Sequence, residues 1–187
     1  RLAQMQPEDM PEDVRGALRK NTRLIAVTHA SNVTGAIQPV AAIGQVAKEA
    51  GVPFLVDGAQ ALGAMPVDVN ALNCQLYAFP GHKGLLGPQG TGGLYIDAAV
   101  DLQPLREGGT GSSSESMLQP TERPERYESG TLNLPGLAGL GAGARYVREN
   151  LAQIFMRERE VTTALYDGLR EIAGVEVYAP AEEAARA

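Results

Sequence analysis

The sequence predicts an α/β fold built on a mainly parallel sheet with flanking helices, and three observations carry that prediction. Leu24-Ile25-Ala26-Val27 is an unbroken apolar run of the kind that forms a strand covered on both faces. Pro53-Phe54-Leu55-Val56 is a second such run. Between them Val40, Ile43, Val46, Ala47 and Ala50 recur at helical spacing. Strand, helix and strand form a βαβ unit, whose crossover is almost always right-handed.

Taken in chain order, Glu12 and Asp13 place acid in a first helical turn after Pro11. Val14, Ala17 and Leu18 add an apolar stripe, so a short helix is expected to end near Lys20. The first strand ends at His29. Pro39 suits a first helical position and Gly51 a helix stop. The second strand ends at Asp57. His29-Ala30-Ser31-Asn32 and Asp57-Gly58-Ala59-Gln60 should therefore leave the sheet at one edge, where open α/β sheets bind ligands. Gln75 to Phe79 and Gly93 to Ile96 read as two more strands, joined through the glycine-rich turn Gly87 to Gly92.

From Arg106 to Asn133 the composition shifts to Gly, Ser, Thr, Pro and charge, as in Gly108 to Ser114; a loop that long is usually functional or disordered. Leu137, Leu140, Ala144 and Val147 then give one helical stripe. Leu151, Ile154, Phe155, Leu165, Leu169 and Ile172 give another. After Gly174, Val175-Glu176-Val177 reads as the first strand of a new unit.

The chain has 187 residues, 44% hydrophobic and 20% charged, enough for one globular unit or most of one. A formal net charge of -6 without a dense Lys/Arg run argues against nucleic acid, whose phosphates need clustered positive charge. Small-molecule partners fit better. No apolar stretch is long enough to cross a bilayer and no charged-then-apolar leader opens the sequence, so a soluble, cytoplasmic protein is expected. Cys74, the single cysteine, excludes an internal disulfide and a thiolate zinc cluster, which suits a reducing compartment. The first residue is Arg and the last stretch, Ala181 to Ala187, stops without a structural ending; a piece of a larger protein is expected.

The chemistry concentrates in Phe79-Pro80-Gly81-His82-Lys83-Gly84-Leu85-Leu86-Gly87-Pro88. Lysine is the side chain that forms Schiff bases with aldehydes, and burial or cationic neighbours readily suppress its charge. Asp57 is a carboxylate suited to a protonated ring nitrogen. Singly these are weak signals: a lysine between glycines is commonly a solvated loop residue, and Asp-Gly after a strand a turn. Histidines such as His29 and His82 are commonly structural.

Four motifs in order change that reading. Thr28-His29-Ala30-Ser31-Asn32-Val33-Thr34-Gly35, Val56-Asp57-Gly58-Ala59-Gln60, Gly81-His82-Lys83 and Tyr127-Glu128-Ser129-Gly130-Thr131-Leu132-Asn133 make the sequence resemble class V aminotransferase-like enzymes, in particular cysteine desulfurases and selenocysteine lyases. The resemblance implies the large domain of a fold-type I transferase dependent on pyridoxal 5'-phosphate, incomplete at both ends. Residues 1–145 would be part of the cofactor-binding large domain, and 146–187 a linking helix and the start of a small C-terminal domain. Lys83 would form the imine, Asp57 would pair with the pyridinium nitrogen and Gln60 would donate to the ring hydroxyl. Asn32 would sit near the ring and the substrate carboxylate. His82 would contact the phosphate, and Thr131 would reach a phosphate across a homodimer interface.

The pattern also departs from the family. Pro80 stands where many relatives have a phosphate-binding serine, and it has neither a hydroxyl nor an N–H. No counterpart is expected for the family's N-terminal phosphate loop and ring-stacking histidine, nor for its C-terminal arginine and mobile-loop cysteine. Cys74, before an apolar strand, is expected to be a buried structural thiol. Gly81 to Gly84 lacks P-loop spacing, and the Gly87 to Gly93 turn enters a strand where a dinucleotide fingerprint opens a helix. Gly139 and Gly143 suggest close helix packing, and Arg157-Glu158-Arg159-Glu160 a solvated helix face. The implied activity is sulfur removal from L-cysteine, giving alanine, with a possible sulfur-acceptor protein as partner. Transamination of a small amino acid and a non-catalytic fragment or scaffold are the alternatives.

Overall fold

Two β-crossovers and one hairpin generate the sheet. The computed structural model describes residues 9–109, 111 and 115–186. Helix α1 (Met10–Ala17) opens with Pro11 in its first turn and Glu12 and Asp13 at its positive end. It stops three residues before Lys20, because Leu18 leaves the helix with ψ 143. Strand β1 (Ile25–Thr28) leads through a turn into α2 (Val40–Ala50), which ends at Gly51 with φ 65, a left-handed conformation natural to glycine. Pro39 is the N-cap residue, one position earlier than expected.

Strands β2 (Phe54–Asp57), β3 (Leu76–Pro80) and β4 (Gly92–Ile96) complete a four-stranded sheet in the order β1-β2-β3-β4. The first three strands are parallel and β4 runs antiparallel to β3, so the sheet is mainly parallel as expected. Thr28 pairs with Asp57, and Asp57 with Ala78. The carboxyl ends of β1, β2 and β3 are therefore level.

The core lies between this sheet and α2. Ile43, Ala47, Phe54 and Val56 are fully enclosed, with Ile25, Val40, Cys74 and Tyr77 around them. Each large apolar side chain so buried contributes about 1.5–3 kcal/mol. Gly44 lets α2 press on the turn before β3, since a Cβ there would sit 2.0 Å from the Leu72 carbonyl oxygen.

Two expectations at the C-terminal end need correction. The stripes around 137–147 and 151–172 belong to one helix, α3 (Leu134–Arg170), of 37 residues, which runs unbroken through residue 145. Ile172 lies beyond it. Val175-Glu176-Val177 forms no strand; the nearest ladder contact is a single bridge between Ala36 and Arg186. Within the glycine- and serine-rich stretch that begins at Gly108, the residues Thr110, Ser112, Ser113 and Ser114 lie outside the described residues. Among the described residues no helix is long and apolar enough to cross a membrane.

Candidate active site

The level strand ends place polar residues side by side. After β1, the Ser31 hydroxyl accepts from the N–H groups of Val33 (3.1 Å) and Thr34 (3.2 Å), and the Gly35 N–H donates to the Ser31 carbonyl at 3.0 Å. This closed turn presents Asn32, exposed, at its tip. After β2, Asp57 Oδ1 accepts from the Ala59 N–H at 2.9 Å, an Asx turn, and no described residue partners Oδ2. The next turn, in which Ala61 and Leu62 N–H both donate to the Gly58 carbonyl, carries Gln60, half-buried.

After β3 comes the lysine loop. Gly81 N–H donates to the Thr91 carbonyl (2.7 Å), Leu86 N–H to the Lys83 carbonyl (2.8 Å) and Gly87 N–H to the Gly81 carbonyl (2.7 Å). His82 and Lys83 are exposed, and their backbone N–H groups donate to no described acceptor. Of the two surroundings expected to quiet a Schiff-base lysine, enclosure is not provided by the described residues.

Glycines bring these turns together. A Cβ on Gly63 would lie 2.3 Å from the Gly84 carbonyl carbon, and one on Gly84 2.5 Å from the Leu62 carbonyl oxygen. The turn that follows Asp57 and Gln60 is thus pressed on the residue after Lys83. From the other side α3 covers the same loop: Cβ atoms at Gly139 and Gly143 would meet Pro88 Cγ at 2.8 Å and the Leu85 carbonyl oxygen at 2.3 Å. The close packing expected of these glycines is real, but the partner is the lysine loop. Asn133 caps α3 by accepting from Gly136 N–H at 3.1 Å. Thr131 is exposed on the segment entering α3, and no hydrogen bond joins it to the lysine loop among the described residues.

Sequence reasoning missed Tyr77. Its hydroxyl lies 3.1 Å from His29 Nδ1, and both residues are buried, at 2% and 4% exposure. Burial pushes the Tyr77 phenol up, reinforced by Cys74 and the Asp57 charge, and holds His29 below the usual imidazole range. A tyrosine within an apolar run reads simply as core, so only the partner across the sheet reveals the pair. Cys74 is buried as expected, its thiol 3.7 Å from the Val69 carbonyl and raised in pKa by burial.

A separate cleft of about 400 Å³ lies between the 33–35 turn and the C-terminal half of α3. Arg186, stacked 3.8 Å from the Tyr166 ring centroid, contributes to its wall. None of the six sequence-designated residues lines it.

The aminotransferase class-V model matches residues 3–187. A probable cysteine desulfurase of Methanothermobacter thermautotrophicus is 41% identical over 173 residues, covering 90% of this chain and 43% of that protein. A cysteine desulfurase of Yersinia pseudotuberculosis is 41% identical over 178 residues, 92% and 44% of the two chains. The apo structure of the cysteine desulfurase from Thermococcus onnurineus NA1 superposes with a TM-score of 0.83 at 38% identity, covering 98% of this chain and 46% of that one. The structure of SspA in complex with cysteine superposes with a TM-score of 0.61 at 34% identity, covering 72% of this chain and 36% of that one. The chain thus spans less than half the length of these relatives, while they match between 72% and 98% of it. With the family model matched over almost its whole length, the chain belongs to the aminotransferase class-V family.

Proposed function

We propose that this chain is the central part of a cysteine desulfurase-like lyase dependent on pyridoxal 5'-phosphate, which removes sulfur from L-cysteine and leaves alanine. The observation that supports this most is the joining of Asp57 and Lys83 by packed turns, at the level ends of neighbouring strands, in a chain whose relatives carry that activity in their names.

The residues suit such a cofactor. Asp57 Oδ2 has no described partner, Lys83 is exposed, and the N–H groups of His82 and Lys83, which engage no described acceptor, can receive a phosphate. Asp57 would keep the ring nitrogen protonated and Gln60 would donate to the ring hydroxyl. Asn32 would lie by the ring and the substrate carboxylate. His82 would hold the phosphate, and Thr131 the phosphate of a second subunit in a homodimer. Because Pro80 supplies neither hydroxyl nor N–H, the backbone donors carry more of that task. When bound, the cofactor supplies an electron-accepting ring that stabilises negative charge at the amino acid's Cα. Lys83 takes and returns the protons at that carbon.

Cys74 does not take the sulfur in this scheme, since its thiol is enclosed in the core. An acceptor cysteine belongs elsewhere in the whole protein or on a sulfur-acceptor partner. Residues 1–145 form part of the large domain, with 146–187 leading to a small one, and the protein acts in the cytoplasm. The isolated chain is inactive.

The test is made on the full-length parent. It should take up pyridoxal 5'-phosphate with a visible absorbance band, and borohydride followed by peptide mapping should leave the cofactor on the Lys83 peptide. With a thiol reductant present to release the transferred sulfur as sulfide, sulfide and alanine should form from cysteine in equal amounts. Lys83→Ala should lose about 10²- to 10⁴-fold in turnover, the usual worth of a positioned proton-transfer group, or more. Normal turnover in Lys83→Ala, or pyruvate-dependent alanine formation without sulfide, would refute the desulfurase reading; the second result would identify an aminotransferase.

A further inference from the structure

We infer that Tyr77 and His29 form a positioning pair that holds Asp57 in register for the cofactor ring; this inference rests on the function proposed above. Tyr77 pairs through its backbone with Val56, immediately before Asp57, and its ring runs beneath the Asp57-Gly58 peptide. A Cβ on Gly58 would fall 2.0 Å from Tyr77 Cε1 and 2.3 Å from its hydroxyl oxygen. The peptide that follows Asp57 therefore rests directly on the phenol.

Backbone bonds hold the same peptide from both sides. His29 N–H donates to the Asp57 carbonyl at 2.8 Å, and Gly58 N–H donates to the Ala78 carbonyl at 2.8 Å. The His29–Tyr77 contact then closes the frame by linking the end of β1 to β3 across β2. Asp57 cannot shift along its strand without disturbing all three. Its carboxylate is left with one oxygen fixed by Ala59 N–H and the other without a described partner.

Core filling alone does not account for the pair. Two buried polar groups that satisfy each other stabilise little more than two apolar side chains of the same shape, while either one unpaired is costly. What the polar pair adds is a direction: the hydroxyl and Nδ1 must meet at one distance, and Gly58 sits on the line between their elements.

The experiment uses the full-length parent, with pyridoxal 5'-phosphate as the probe. Its dissociation constant, the wavelength of its visible band and the urea midpoint of the cofactor-free protein are measured for Tyr77→Phe, His29→Leu and His29→Asn. Tyr77→Phe and His29→Leu should weaken cofactor binding about five- to tenfold, the size of one hydrogen bond, and displace the band. His29→Asn, which keeps a polar atom close to the Nδ1 position, should restore both. Unchanged binding and band in Tyr77→Phe would overturn the inference. So would a His29→Asn as impaired as His29→Leu, with binding losses that merely follow the urea midpoints. A wild-type parent that takes up no cofactor would instead sink the functional reading, and the pair's role with it.

Discussion

His29, unlike the exposed Asn32, Asp57 and Lys83 at this sheet edge, is shut away from water, and that makes it a pH sensor of stability. Burial lowers its pKa from the ordinary 6.5. The folded state therefore binds its proton less readily than the unfolded chain, and the stability tied to neutral His29 is complete above pH 6.5 and lost as pH falls through and below it. The urea midpoint of the protein should drop as pH falls below 6.5, and His29→Asn should flatten that part of the curve. An unaltered slope in the variant would place the effect on carboxylates. Position 58 offers a second test at this scale. Gly58→Ala would push a methyl into the Tyr77 ring, which the strand backbone anchors, and should cost about 1–3 kcal/mol by chemical denaturation. Asp57, Asn32 and Lys83 are weak signals as single letters and become site candidates only through the ordered motifs that hold them. Tyr77 was not, because an aromatic in a strand has an apolar explanation until the sheet brings His29, 48 residues away, to its hydroxyl.

At the scale of elements, β1, α2 and β2 were readable because their signals are local: continuous apolar runs, a helical stripe and a terminating glycine. The length of α3 was not, since a stripe that changes face resembles two helices, and nothing local requires a break near Leu151. Val175 to Val177 looked like a strand on propensity, yet a strand needs a neighbour to pair with, and none of the described residues supplies one there. The small face of α3 also has a meaning that spacing could not reveal, as its partner is a loop. A matched pair of substitutions separates helix propensity from packing. Gly168→Ala, with open space around it, should stabilise the protein by about 0.5–1 kcal/mol. Gly143→Ala, directed at the Leu85 carbonyl, should destabilise it by about 1–3 kcal/mol and loosen the lysine loop. Thermal melts decide the signs, and hydrogen exchange at Leu86 and Gly87, whose N–H groups close that loop, reports the loosening.

Across the whole molecule, the site loops and the core share the same four short strands, so stability and site geometry should fail together. Phe54 shows why. It is enclosed between α2 and the sheet, while its carbonyl accepts from Gln75 N–H and its own N–H donates to the Gln75 side chain. Truncation to alanine would empty the centre of that layer and should cost about 3–5 kcal/mol, a large share of the roughly 5–15 kcal/mol typical of a folded domain. Leu105, fully exposed, should change stability by no more than about 0.5 kcal/mol when replaced by alanine. The chain has no tryptophan and six tyrosines, so tyrosine emission can follow Tyr77 and its surroundings while far-ultraviolet circular dichroism follows the helices. In Phe54→Ala both signals should move to lower urea together, because β2 carries Asp57 at one end and the core at the other. If tyrosine emission were lost at a urea concentration that left the helices intact, the sheet end that bears the site would be a separate unfolding unit from α2 and α3.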